Sequence, residues 1–101
     1  MAAMEVLVRV TEVKHLGARL LRVVFADGLV REIDFAGALP GILSTIDNDT
    51  AFSQVTVDAT AGTVCWSNGI DLDPDVLHGD QEPASGHAPT VVREYRLQQT
   101  A

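Results

Sequence analysis

Asp71, Asp73 and Asp75 stand at alternate positions, as the first ligands of a calcium loop do, and Glu82 falls at the twelfth position of such a loop. The comparison fails in the middle. Val76 occupies the sixth position, where the sharp turn needs glycine, and Pro74 stiffens the segment. The simpler reading is a helix start, with Asp73 as the cap, Pro74 at the first helical position and acids placed favourably at its beginning. His15, His78 and His87 form no pair at zinc-ligand spacing and read as solvated histidines of loops and linker. Cys65, the single cysteine, reads as an inert strand thiol beside Trp66. The sequence contains no nucleophile elbow, no phosphate-cradling glycine loop and no dinucleotide fingerprint. It therefore nominates no catalytic residue, no metal ligand and no cofactor.

Binding is the remaining chemistry. Trp66 is the only tryptophan and would be a strong anchor for a partner or ligand. Val64 and Val57 fall on its face of a strand, which favours a core role. Asn68-Gly69 reads first as a turn and second as a binding loop. Trp66, Asn68, Asp71 and, in the C-terminal tail, Tyr95 are the candidate binding residues.

The elements that must position them follow from patterning. Val6, Val8 and Val10 alternate with Leu7, Arg9 and Thr11, as in a half-buried strand, and residues 14–17 read as a polar break. Strands over 19–25 and 29–35 flank Ala26-Asp27-Gly28. A three-residue loop with left-handed Gly28 sets Phe25 opposite Leu29, Leu21 opposite Ile33 and Arg22 opposite Glu32. This register is preferred over the two-residue turn, which sets charges opposite the core face. Leu20, Val24 and Val30 then share the other face, which calls for a cover. Asp34 is placed to cap a short helical segment over 35–39, ended by Pro40-Gly41. Ile42, Leu43 and Ile46 continue as a second turn onto the core. A second hairpin closes as a four-residue loop, 59–62, pairing Val57 with Val64, Thr56 with Cys65 and Val55 with Trp66. Residues 79–89 read as a linker. Residues 90–97 recover apolar character and fit either a strand, able to join a sheet edge, or a helix with a narrow apolar stripe.

The expected architecture is α+β: a small antiparallel sheet built from two hairpins with short helical segments, a single domain over 1–78 and a linker and tail segment over 79–101. The chain has 101 residues, of which 47% are hydrophobic and 21% charged. At that size roughly two-thirds of the unfolded surface is buried, so a core forms without staples. Fourteen acidic residues against seven basic ones give a net charge of −7. That balance argues against direct binding to nucleic acid or an anionic membrane, both of which need a basic patch. With no apolar run of spanning length and no signal-peptide pattern at Met1 to Val10, a cytoplasmic protein is expected.

The stretch Phe52-Ser-Gln-Val55-Thr-Val57-Asp58, then residues 62–69, Gly-Thr-Val-Cys-Trp-Ser-Asn-Gly, then Asp71-Leu72-Asp73-Pro74-Asp75-Val76-Leu77, resembles the signature of a small bacterial family, domain of unknown function 2442. Phe25-Ala26-Asp27-Gly28 with Ile33-Asp34 resembles its first hairpin, and the likeness spans about residues 8–78. Ser67 departs from the family's usual proline. The resemblance implies a small α+β domain and supplies no catalytic mechanism. It also implies a two-gene arrangement similar to toxin–antitoxin pairs. Some relatives add a helix-turn-helix domain, for which residues 79–101 are too short. Others carry a molybdopterin-related label, which is not carried over here. Three readings result: an interaction module with a protein partner, a small-molecule binder or small enzyme using the loop from Trp66 to Asp75, and a structural homodimer joined through a sheet face or edge. A deep pocket lined by Trp66, Asn68 and Asp71 would favour the second.

Overall fold

The structure, a computed structural model, describes residues 8–83 and 86–97. Val6 and Leu7, expected to open the first strand, lie outside the described residues. Six strands form two antiparallel sheets. The larger has the order β1-β2-β3-β6, from β1 (Val10–Gly17), β2 (Leu20–Phe25), β3 (Leu29–Asp34) and β6 (Thr90–Arg96). The smaller pairs β4 (Thr56–Asp58) with β5 (Thr63–Cys65). A 3₁₀ helix (Gly41–Ile46) and two short helices, α1 (Asp49–Phe52) and α2 (Pro74–His78), are the other elements among the described residues. This is the small α+β architecture that the patterning implies.

Both hairpin registers are found as expected. In the first, Leu21 faces Ile33, Arg22 faces Glu32 and Val24 faces Val30. Gly28 sits at φ +89°, its N–H donates to the Phe25 carbonyl, and the Asp27 carboxylate accepts from the N–H of Leu29. A β-branched residue tolerates that backbone region badly. Gly28→Val is therefore expected to lower stability by more than about 1 kcal/mol. Urea unfolding checks this, and an unchanged midpoint would reject the bulged loop. In the second hairpin Val57 faces Val64 and Thr56 faces Cys65. The ladder stops there, because the Trp66 N–H turns to the Ile70 carbonyl at 2.8 Å, so the expected Val55–Trp66 pair is not part of it.

Two local expectations are corrected. Residues 14–17 are strand, not a break: Lys14 pairs with Arg22 and His15 with Leu21, and the turn falls at Ala18-Arg19, with Ala18 at φ +44°. Residues 35–39 form a turn instead of a helical segment. Asp34 does accept the N–H of Ala36, but Gly37 at φ +73° takes the chain out of helical geometry. The following turn exists as the 3₁₀ helix. It buries Ile46, while Ile42 is 74% exposed and does not reach the core.

One core joins the two layers. From the large sheet come Val10, Leu21, Val23, Phe25, Leu29 and Ile33. From the layer above it come Phe35, Leu39, Ile46, Phe52, Val64, Trp66, Ile70 and Leu77. Arg19 fastens the layers at one end. Its guanidinium donates to Asp47 at 2.8 Å and Asp49 at 2.9 Å and lies over the Phe52 ring. Arg31 fastens them at the other, reaching the Leu77 carbonyl at 2.9 Å and Glu94 of β6 at 2.7 Å. The strand alternative for the tail is the one found. β6 adds to the chain's own sheet beside β3, with a bulge between Glu32 and Ile33.

Candidate interaction face

The α2 start forms as its residues dictate. The Asp73 carboxylate accepts from the Asp75 N–H at 2.9 Å, Pro74 takes the first position and Gly79 closes the helix in the left-handed conformation. Leu77 is thereby buried and Val76 is left at the surface of a cleft. The cleft has a volume of about 270 Å³. Its walls are Phe35, Leu43, Leu72 and Val76, crossed by Pro83 and Pro89 from the segment that leads to β6. Asp71, Asp73 and Glu82 line it with polar groups and are exposed. A second cleft of about 250 Å³ lies on the β6 side of the same segment, between Arg31, Ile33, Val91 and Pro89.

The four candidate residues are not brought together. Trp66 is 4% exposed, with its indole N–H donated to the Phe52 carbonyl at 3.1 Å, so it belongs to the core and is closed to a ligand. Asn68 is spent on its own turn: its side chain accepts from the Ile70 N–H and donates to the Thr45 hydroxyl. Only Asp71 lines the cleft. Tyr95 lies across the large sheet, opposite Val30 on the face turned away from the core.

Two histidine expectations are overturned. His15 lies on β1, edge-on to Phe52, and bonds the Ala18 carbonyl. His78 closes α2 and is held between Asp27 at 2.8 Å and Asp80 at 2.9 Å, edge-on to Phe25. Each contact is an ion pair when the imidazole carries its second proton. The Asp27 carboxyl is held below its usual range, first by the Leu29 N–H and then, against the opposing effect of burial, by His78 and Arg96. A depressed folded-state value means its stabilisation is full above the ordinary Asp range of about 3.9 and is lost as pH falls through the folded value. Asp27→Asn is expected to flatten the acid side of the stability profile. Urea midpoints at neutral and acid pH check this, and an equally steep acid loss in the variant would reject it.

The electrostatics of the layer above the sheet come from a sequence gap that pattern reading missed. Residues 35–92 contain no lysine or arginine, yet hold Asp47, Asp49, Asp58, Asp71, Asp73, Asp75, Asp80 and Glu82. All seven cations lie at residues 9–31 and 93–96, in and beside the large sheet. Asp47 and Asp49 are answered by Arg19 and Asp80 by His78. Among the described residues, Asp58, Asp71, Asp73, Asp75 and Glu82 take part in no ion pair with lysine or arginine. Among the described residues no three His, Cys, Asp or Glu side chains gather as a metal cluster, and no helix is long and apolar enough to cross a membrane.

Fold and cleft together define a two-layer α+β domain with its negative charge gathered on the layer opposite the large sheet. The chain belongs to the family described as "Protein of unknown function (DUF2442)", whose model matches residues 10–80. Searches of curated proteins and of solved structures each gave no significant match.

Proposed function

We propose that the protein is an interaction module whose acidic layer docks a basic partner protein, in the manner of the antitoxin-like half of a two-gene pair. The observation that carries this is the gathering of eight carboxylates, without one lysine or arginine, over residues 35–92. Such a field steers a cationic partner and rejects acidic ones. The cleft beside α2 adds an apolar seat. An aliphatic or aromatic side chain of the partner would rest on Leu43, Leu72 and Val76, with its basic neighbours against Asp71 and Glu82. A small-molecule site is the weaker reading. At about 270 Å³ the cleft falls below the span of about 300–1,000 Å³ usual for such sites, and neither Trp66 nor Asn68 is among its lining residues.

The test is co-expression with the product of the neighbouring gene, followed by size-exclusion chromatography and titration at several salt concentrations. A complex is expected whose affinity falls with salt. Asp71→Lys together with Glu82→Lys, both at exposed positions, should weaken it about tenfold or more while the thermal midpoint is retained. No complex, or one indifferent to both salt and the reversals, would sink the proposal.

A further inference from the structure

His78 ends α2 with both ring nitrogens on carboxylates: Nε2 lies 2.8 Å from Asp27 and Nδ1 2.9 Å from Asp80. A neutral imidazole carries one N–H and can donate to one of them, whereas the imidazolium donates to both. Every element packed against the ring contributes to its surroundings. From β2 the Phe25 ring stands edge-on at 4.8 Å. From the end of β6 Arg96 reaches the Asp27 carboxylate at 3.8 Å. From β3 Arg31 holds the Leu77 carbonyl at 2.9 Å, with Glu94 of β6 as its own counter-ion, and Asp75 lies three residues earlier on α2. The two carboxylates differ in freedom. Asp27 is 35% exposed and also accepts the Leu29 N–H, whereas the Asp80 side chain is 56% exposed and follows the helix in a short turn through left-handed Gly79.

We infer that His78 is a proton-operated latch on the chain as it leaves α2. While the ring carries its second proton, Asp80 is drawn against it and the turn at Gly79 is closed. When Nδ1 gives that proton to water, its lone pair faces the Asp80 carboxylate at hydrogen-bond distance. Two acceptors repel, so Asp80, the more exposed of the two carboxylates, turns to solvent while the Nε2 proton stays on Asp27. The body of α2 remains docked through the buried Leu77 and the bond from Arg31. What the latch frees is the start of the following segment, whose Gln81, Glu82 and Pro83 line both clefts beside it. Histidine is the side chain that exchanges its proton near neutral pH, so the shared wall of the two clefts follows pH there. The latch is a property of the fold and stands or falls independently of the function proposed above.

Nitrogen-15 spectra of the His78 ring in the full chain, with urea unfolding and amide exchange, test it at about pH 5.5 and about pH 8.5, on either side of the ordinary histidine value of about 6.5. On the acid side both ring nitrogens should carry protons. On the alkaline side Nδ1 should be bare and Nε2 still protonated. The Asp80 pair contributes while the ring is charged and is lost as pH rises. Asp80→Ala should therefore raise the unfolding constant about two- to fivefold at the acid pH, the reach of a half-exposed ion pair, and leave it unchanged at the alkaline one. Asp80 is exposed, so this variant should fold. Exchange of the Gly79 and Asp80 amide hydrogens, both bonded to the Asp75 carbonyl, should quicken by a similar factor from acid to alkaline pH once corrected for the intrinsic rate, and should lose that dependence in His78→Gln. A ring that keeps both protons or bares Nε2 at the alkaline pH, an Asp80→Ala effect equal at both, or an exchange change that is absent or persists in His78→Gln would each overturn the inference.

Discussion

Phe52→Ala is expected to lower the free energy of unfolding by about 3–5 kcal/mol, the usual loss on truncating a fully buried aromatic side chain. Phe52 has no exposed surface, although it belongs to a helix of only four residues. A helix that short does not hold itself together, so packing must sustain it. The ring lies 5.5 Å from Trp66, 5.8 Å from His15 and 5.9 Å from Phe35, centroid to centroid, with the Arg19 guanidinium at 5.7 Å. Its carbonyl also accepts the Trp66 indole N–H. One side chain therefore joins β1, the start of β2, the turn after β3 and the strand end at Trp66. A domain of this length has roughly 5–15 kcal/mol of stability in total, so the variant should sit near its threshold. Trp66 is the only tryptophan, and its fluorescence during urea unfolding gives the measurement. A loss below about 1 kcal/mol would mean that the core collapses around the gap or is not centred on Phe52.

Ending the chain at Gly79 is expected to cost about 2–4 kcal/mol, from partial re-exposure of apolar side chains now covered by β6. Val30 and Ile33 are each 1% exposed, and their neighbours on β6 are Tyr95 and Val91. Arg31 would also lose Glu94, one of the two partners that hold it between the layers. β3 would become an open edge with unpaired backbone groups, which invites association between chains. The shortened protein should therefore unfold at a lower urea concentration and aggregate as its concentration rises. If it instead keeps full stability and stays dispersed, the sheet is complete with three strands and the tail is a detachable addition.

The features legible in the sequence are those decided between near neighbours in the chain. The two hairpin registers follow from which side chains meet across a short loop, and one register matches apolar with apolar where its competitor does not. The start of α2 is equally local, since Asp73 and Pro74 satisfy and preset the first turn by themselves. Asp71 adjoins that start, and the structure sets it in the lining of the cleft beside α2. The rest depended on partners distant in sequence. Lys14 to Gly17 looks like a break by composition, yet it is strand because β2 lies beside it and Lys14 faces away from the core. Residues 90–97 satisfy strand and helix patterns alike, and the open edge of β3 decides between them. His78 sits in a polar stretch. Only the return of the chain brings Asp27, 51 residues earlier, within 2.8 Å of its ring. The charge gap over residues 35–92 can be counted in the sequence. That it makes one layer acidic is decided by the packing that sends residues 35–83 to one side of the sheet. Short-range pairing is set by geometry within a few residues, whereas the faces of a domain exist only once long-range burial has chosen which sides point outward.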